Sequence, residues 1–107
     1  MTKVLIIDDD DIFRDHLRRV LIKGRFEPIE AEGGTAGREL CAQQNPDLVL
    51  IDLQMPDING LDLVDEFVRE QPNLPVIVIS GHGEMKDVIK AHRLGAWDYL
   101  DKPIDVE

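Results

Sequence analysis

A single cysteine, Cys41, excludes an internal disulfide framework and a cysteine-built zinc site. No apolar run approaches the roughly 18 residues of a membrane-spanning helix, so no membrane anchoring is read from the sequence. The N-terminus lacks the charged start, apolar stretch and small-residue cleavage site of a signal peptide. Basic residues are scarce: 12 Lys and Arg stand against 22 Asp and Glu, a formal net charge of −10. A chain this acidic repels polyanions, which sets direct nucleic-acid binding aside. Internal repeats and linkers are absent too. A soluble cytoplasmic protein is the expectation.

What is present is a repeated pattern. The chain has 107 residues, 43% of them hydrophobic, enough for one small packed domain. Four short apolar runs each lead into a reactive polar residue. Val4-Leu5-Ile6-Ile7 leads into Asp8-Asp9-Asp10-Asp11, Leu48-Val49-Leu50-Ile51 into Asp52, and Val76-Ile77-Val78-Ile79 into Ser80. Trp97-Asp98-Tyr99-Leu100 leads through Asp101 into Lys102-Pro103. Such runs, separated by helix-length segments, read as buried parallel strands. A weaker alternation at Glu27 to Ala31, with Pro28, reads as a short edge strand. The order βαβαβαβαβ predicts an α/β fold with a doubly wound, five-stranded parallel sheet.

Between the strands, Phe13, Leu17, Val20 and Leu21 recur at helical spacing, with Arg14, Arg18, Arg19 and Lys23 on a face read as solvated charge. Gly33-Gly34-Thr35 offers a cap for a helix reaching Gln44, with Leu40 and Cys41 inward. Leu63, Val64, Phe67 and Val68 mark a third helix, and Met85, Val88 and Ile89 a fourth at core spacing.

Parallel strands end on one sheet edge, where α/β sheets bind ligands. Carboxylates, a hydroxyl and an amine therefore meet there. Adjacent Asp8 and Asp9 repel unless a cation neutralises them. Hard oxygen ligands suit Mg²⁺, or Mn²⁺ in its place, sharing its remaining sites with water and phosphate. Asp10 or Asp11 is expected to cap the first helix. Asp52 should face this cluster, since the two strands are neighbours in a doubly wound sheet, and its carboxylate is of the type that accepts a phosphoryl group. Ser80 is placed to donate a hydrogen bond to a phosphoryl oxygen. Lys102 is placed to pair with Asp52 and then with the phosphate. The Lys102-Pro103 bond is a candidate cis peptide.

Asp8-Asp9, Asp52, Ser80 and Lys102-Pro103, with the strings Val-Leu-Ile-Ile-Asp-Asp-Asp, Asp-Leu-Val-Leu-Ile-Asp-Leu-Gln-Met-Pro-Asp-Ile-Asn-Gly and Gly-Ala-Trp-Asp-Tyr-Leu-Asp-Lys-Pro, resemble the receiver domains of two-component response regulators. The resemblance spans residues 1–107. It implies the flavodoxin-like strand order 2-1-3-4-5. It implies that Asp52 is the phosphoacceptor and that Mg²⁺ is held by Asp8, Asp9, Asp52 and the backbone carbonyl of Gln54, with Asp9 favoured as the direct ligand over Asp8. Ser80, Tyr99 and Lys102 then form the phosphate-binding and switch set, while Gln54 and His82 sit where phosphoryl lifetime is tuned. The implied donor is a sensor histidine kinase or phosphotransfer protein, and the Arg14/Arg18/Arg19 face could help dock it. The protein modifies itself and is not an enzyme acting on other substrates.

Lys102 to Glu107 reads as a strand end followed by the start of a helix. The expectation is therefore the N-terminal receiver of a longer regulator, with the last helix truncated and a C-terminal output domain outside this chain. Homodimerisation on phosphorylation is a further implication; equal sedimentation of the phosphorylated and unphosphorylated full-length protein would remove it. Two alternatives stand beside this reading. One is a pseudo-receiver that binds partners without phosphate. The other is an aspartate-nucleophile phosphatase of the haloacid-dehalogenase type, which Asp8-x-Asp10 resembles but which has no use for Asp52.

Overall fold

The computed structural model describes residues 1–81 and 85–102. Five strands and four helices alternate along it: β1 (Lys3–Ile7), α1 (Asp11–Lys23), β2 (Glu27–Ala31), α2 (Gly34–Gln44), β3 (Leu48–Asp52), α3 (Gly60–Glu70), β4 (Val76–Ser80), α4 (Met85–Leu94) and β5 (Asp98–Asp101). All pairings are parallel and the sheet order is β2-β1-β3-β4-β5. This is the expected doubly wound architecture.

The inner strands are apolar throughout because helices cover both sheet faces. On β1, Val4 and Ile6 pack with Leu17, Leu50 and Ile79 under α1, while Leu5 and Ile7 point the other way. There they join Cys41 of α2, Leu63, Val64 and Phe67 of α3, and Ala91 of α4. Cys41 is thus a small core residue, as such cysteines usually are. Among the described residues no helix is long and apolar enough to cross a membrane.

Local chemistry fixes the element starts. The Asp10 side chain accepts the N–H groups of Ile12 and Phe13, both at 3.1 Å, so Asp10 is the cap of α1 and Asp11 occupies its first turn. Asn59 caps α3 by accepting the N–H of Leu61 at 2.9 Å. Gly33 of the expected Gly33-Gly34-Thr35 cap has no side chain to offer α2. Asp57, from the loop after β3, supplies it: its carboxylate accepts the N–H of Gly34 at 3.1 Å and of Thr35 at 2.9 Å.

Two expectations about helix faces fail. Arg14 is not solvated charge; its side chain is buried under the start of α1, although Arg19 does remain exposed. On α4, Met85 and Ile89 are exposed at 72% and 45%, while Ala91 is buried. Spacing identified an apolar stripe on α4, of which the described residues cover only part.

Candidate functional site

Strand register builds the site. Ile7 pairs with Ile51, so the next residues, Asp8 and Asp52, leave neighbouring strands side by side. Asp52 pairs with Ile79, which puts Ser80 one step further out, and Ser80 pairs with Asp101, next to Lys102. The Lys102 N–H donates to the Ser80 carbonyl at 3.0 Å, extending the ladder to the lysine itself. The residues meet at the carboxyl ends of β1 and β3, beside the point where the strand order reverses.

One carboxylate oxygen each from Asp8, Asp9 and Asp52 lies within 4.8 Å of the others. Asp8 and Asp52 are buried, and Asp9 is exposed. Lys102 is the counter-charge: its Nζ lies 2.7 Å from Asp8 Oδ2 and 3.3 Å from Asp52 Oδ2. The same ammonium sits 4.3 Å from the centroid of the Phe13 ring, a cation–π contact from the first turn of α1. Burial pushes the Asp8 carboxyl up, against hydrogen bonds from Lys102 and the Asp10 N–H. Burial works to lower the Lys102 ammonium, but Asp8 and Asp52 outweigh it and hold it above its ordinary range.

The loop after β3 is tied to the site at several points. The Gln54 N–H donates to Asp52 Oδ1 at 3.0 Å, and the Gly60 N–H to the Leu53 carbonyl at 3.2 Å. The Ser80 side chain belongs to a residue only 1% exposed. Tyr99 turns inward, with its hydroxyl oxygen buried and no hydrogen-bond partner for it among the described residues. Burial pushes the phenol up, and the nearby Ser80 hydroxyl opposes that shift. His82 and the Lys102-Pro103 bond lie partly or wholly outside the described residues, so their expected roles find no geometry here. His16 and His92 are both exposed and stand apart from the cluster in chain and register.

The sequence model of the response regulator receiver domain matches residues 4–107. The chain belongs to this family. It is 35% identical over 102 residues to the photosynthetic apparatus regulatory protein RegA of Rhodovulum sulfidophilum, covering 95% of this chain and 56% of RegA. It is also 35% identical over 104 residues to the DNA-binding transcriptional regulator NtrC of Escherichia coli K12, covering 97% of this chain and 22% of NtrC. The receiver therefore spans from about half to under a quarter of these curated relatives. A receiver-domain protein from Clostridium thermocellum superposes with a TM-score of 0.92 at 30% identity, covering 98% of this chain and 85% of that one. A response regulator from Burkholderia pseudomallei, solved with a phosphorylated aspartic acid, a calcium ion and citrate, superposes with a TM-score of 0.92 at 25% identity, covering 99% and 62%.

Three side-chain roles around this receiver's site were not given by the sequence pattern: Phe13 against Lys102, Asp57 capping α2 from the loop after β3, and Arg14 donating to the Asp8 carbonyl. Only Asp57 left a trace, in the lack of a capping side chain at Gly33. Its two backbone N–H donors hold its carboxyl at about 2, below the ordinary 3.8. A depressed folded-state value stabilises the fold above pH 3.8, and that stabilisation fades as pH falls toward 2. Asp57→Ala is therefore expected to unfold in less urea than the parent at pH 7, with the gap narrowing between pH 4 and about 2. A constant gap across that window would remove the capping carboxylate as its source.

Proposed function

We propose that this receiver accepts a phosphoryl group on Asp52 and thereby switches an output that lies outside these 107 residues. The observation carrying the reading is the meeting of Asp8, Asp9 and Asp52 within 4.8 Å, with Lys102 bridging Asp8 and Asp52. The donor is the phosphohistidine of a sensor histidine kinase or phosphotransfer protein. A carboxylate oxygen of Asp52 attacks phosphorus, the P–N bond breaks, and the imidazole leaves and takes up a proton. No other substrate is turned over.

The all-oxygen donor set fits Mg²⁺ or Mn²⁺, which would be held by Asp8, Asp9, Asp52 and the backbone carbonyl of Gln54. Bound there, the cation supplies positive charge where a dianionic phosphoryl group approaches three carboxylates. The protein's own part is positioning. Lys102 pairs with a phosphoryl oxygen, and Ser80 donates a hydrogen bond to another. Tyr99, already turned toward Ser80, follows that movement and repacks the α4–β5 surface, a two-state element biased by one modification. Gln54 and His82 set how readily water reaches the acyl phosphate. The phosphorylated aspartate and calcium ion of the Burkholderia pseudomallei regulator support this reading by likeness. The greater lengths of RegA and NtrC support an output domain beyond residue 107. Intact, converging chemical groups favour a phosphate-dependent receiver over a pseudo-receiver.

The test is intact mass after incubation with acetyl phosphate and Mg²⁺. A gain of one phosphoryl group, lost in chelator and in Asp52→Ala, is expected. Labelling that survives Asp52→Ala but not Asp8→Ala would favour the phosphatase chemistry instead. No gain in a folded chain carrying its full C-terminus would leave a binding module.

A further inference from the structure

Resting on that reading, we propose that Arg14 is a positioning residue for the cation site: its guanidinium fixes the Asp8–Asp9 peptide and so aims the Asp9 carboxylate. Nη1 donates to the Asp8 carbonyl at 2.7 Å, Nη2 to Asp11 Oδ1 at 2.6 Å and Nε to Glu30 Oε1 at 3.2 Å. One planar group thus spans the end of β1, the first turn of α1 and strand β2. Its side chain is only 10% exposed, which is unusual for arginine without such partners.

The Asp8 carbonyl is where a brace is needed. The ladder between β1 and its neighbours ends at the Ile7–Ala31 and Ile7–Ile51 pairs. Beyond it, the Asp8 N–H still donates to the Ala31 carbonyl at 3.1 Å, and the Asp8 side chain accepts the Asp10 N–H at 2.8 Å. The carbonyl oxygen belongs to the peptide plane that joins Asp8 to Asp9, and Arg14 holds it. Rotation of that plane would swing the Asp9 side chain while leaving Asp8 in place. Asp9 is exposed, so its direction comes from its backbone.

Charge argues against a simpler role. Arg14 reaches the main chain of Asp8, while its ion pairs are with Asp11 and Glu30. Lys102 is the cation that contacts the Asp8 and Asp52 carboxylates. Arg14 therefore acts through geometry. The fork suits this, since a lysine at the same place has one compact ammonium and cannot hold three acceptors in one plane.

The experiment measures the Mg²⁺ dissociation constant by calorimetry for the parent, Arg14→Met, Arg14→Lys and Glu30→Gln, with thermal unfolding in chelator alongside. Loss of an outer-shell partner typically weakens a metal site by about 10–100-fold, so Arg14→Met is expected to weaken Mg²⁺ by about 10-fold. Arg14→Lys should recover part of this, and Glu30→Gln, which loosens the guanidinium from its far side, should weaken binding by roughly 3-fold. The rate of Asp52 labelling by acetyl phosphate should fall at limiting Mg²⁺ and approach the parent rate at saturation. Unchanged Mg²⁺ affinity in a folded Arg14→Met chain would overturn the proposal. Should that variant not fold, parental affinity in both Arg14→Lys and Glu30→Gln would overturn it. If the parent binds Mg²⁺ but takes no label at Asp52, the phosphoacceptor reading fails, while the affinities still decide the role of Arg14.

Discussion

Gly60→Ala is expected to lower both stability and Asp52 labelling, although alanine is the better helix former. A Cβ at position 60 would stand 2.6 Å from the Leu53 carbonyl oxygen and 2.8 Å from its carbonyl carbon. Both are backbone atoms, so no rotamer change relieves the contact. The helix-propensity gain of replacing glycine is at most about 1 kcal/mol. Overpacking against immobile atoms costs about 1–3 kcal/mol, and here the clash falls on the residue that follows Asp52. A net loss of about 2 kcal/mol would lower the melting temperature by about 8–16 °C in a domain of this size. The effect on chemistry should be larger. Leu53 and Gly60 close the loop through their 3.2 Å hydrogen bond, so separating them moves Gln54 and Asp52 together. Misplacing a reacting group by about 1 Å costs about 100-fold in rate, which acetyl phosphate kinetics would read. Parental stability together with parental labelling would show that the loop closure does not position Asp52.

Removing the ammonium should have the second large effect, and its size should depend on Mg²⁺. Asp8 and Asp52 are only 2% and 7% exposed, so Lys102→Ala leaves two buried carboxylates facing each other. Breaking a buried ion pair from one side costs about 3 kcal/mol, more than is regained by no longer burying the lysine. In chelator the variant should therefore unfold well below the parent. Adding Mg²⁺ to about 100 times its dissociation constant should return about 2.7 kcal/mol, since cation binding stabilises only the folded chain. The variant should also bind Mg²⁺ more tightly than the parent, because no resident charge has to leave Asp8. Burial already holds the Asp8 carboxyl above its ordinary range, and a raised folded-state value favours the protonated fold. The deficit of Lys102→Ala should accordingly be greatest near neutral pH and shrink in acid. Equal stability of parent and variant in chelator would mean that Lys102 does not neutralise the pair.

The strands and the residues at their ends were readable because buried parallel strands leave an uninterrupted apolar run, and the first polar residue after each run marks the sheet edge. Asp8, Asp52 and Ser80 follow from that rule together with strand order, while Lys102 comes one residue after Asp101 at the end of β5, a strand that carries Asp98 and is largely exposed. Arg14, Asp57 and Phe13 do not, because their roles depend on side chains reaching across elements. Arg14 lies on the polar side of an amphipathic pattern, which records where water is expected and not where a carbonyl waits. Asp57 looks like an ordinary turn residue until α2, which begins 23 residues earlier, is seen to need its oxygen. Met85 and Ile89 show the converse limit: periodicity marks a stripe as apolar without saying how much of it a neighbour covers.

The parallel sheet also gives the site a temporal character. Lys102 and Asp52 are 50 residues apart in the chain, and β1 meets β3 only after β2 and α2 have been made. Every pairing that brings the acidic residues and the lysine together is long-range, so loop-closure entropy must be overcome before any of it is gained. A chain emerging from the ribosome holds its first aspartates long before its lysine, and on the proposed reading it stays chemically silent until residue 102 has been threaded into place. On that reading signal reception is reserved for finished molecules, and a half-made copy accepts no phosphoryl group.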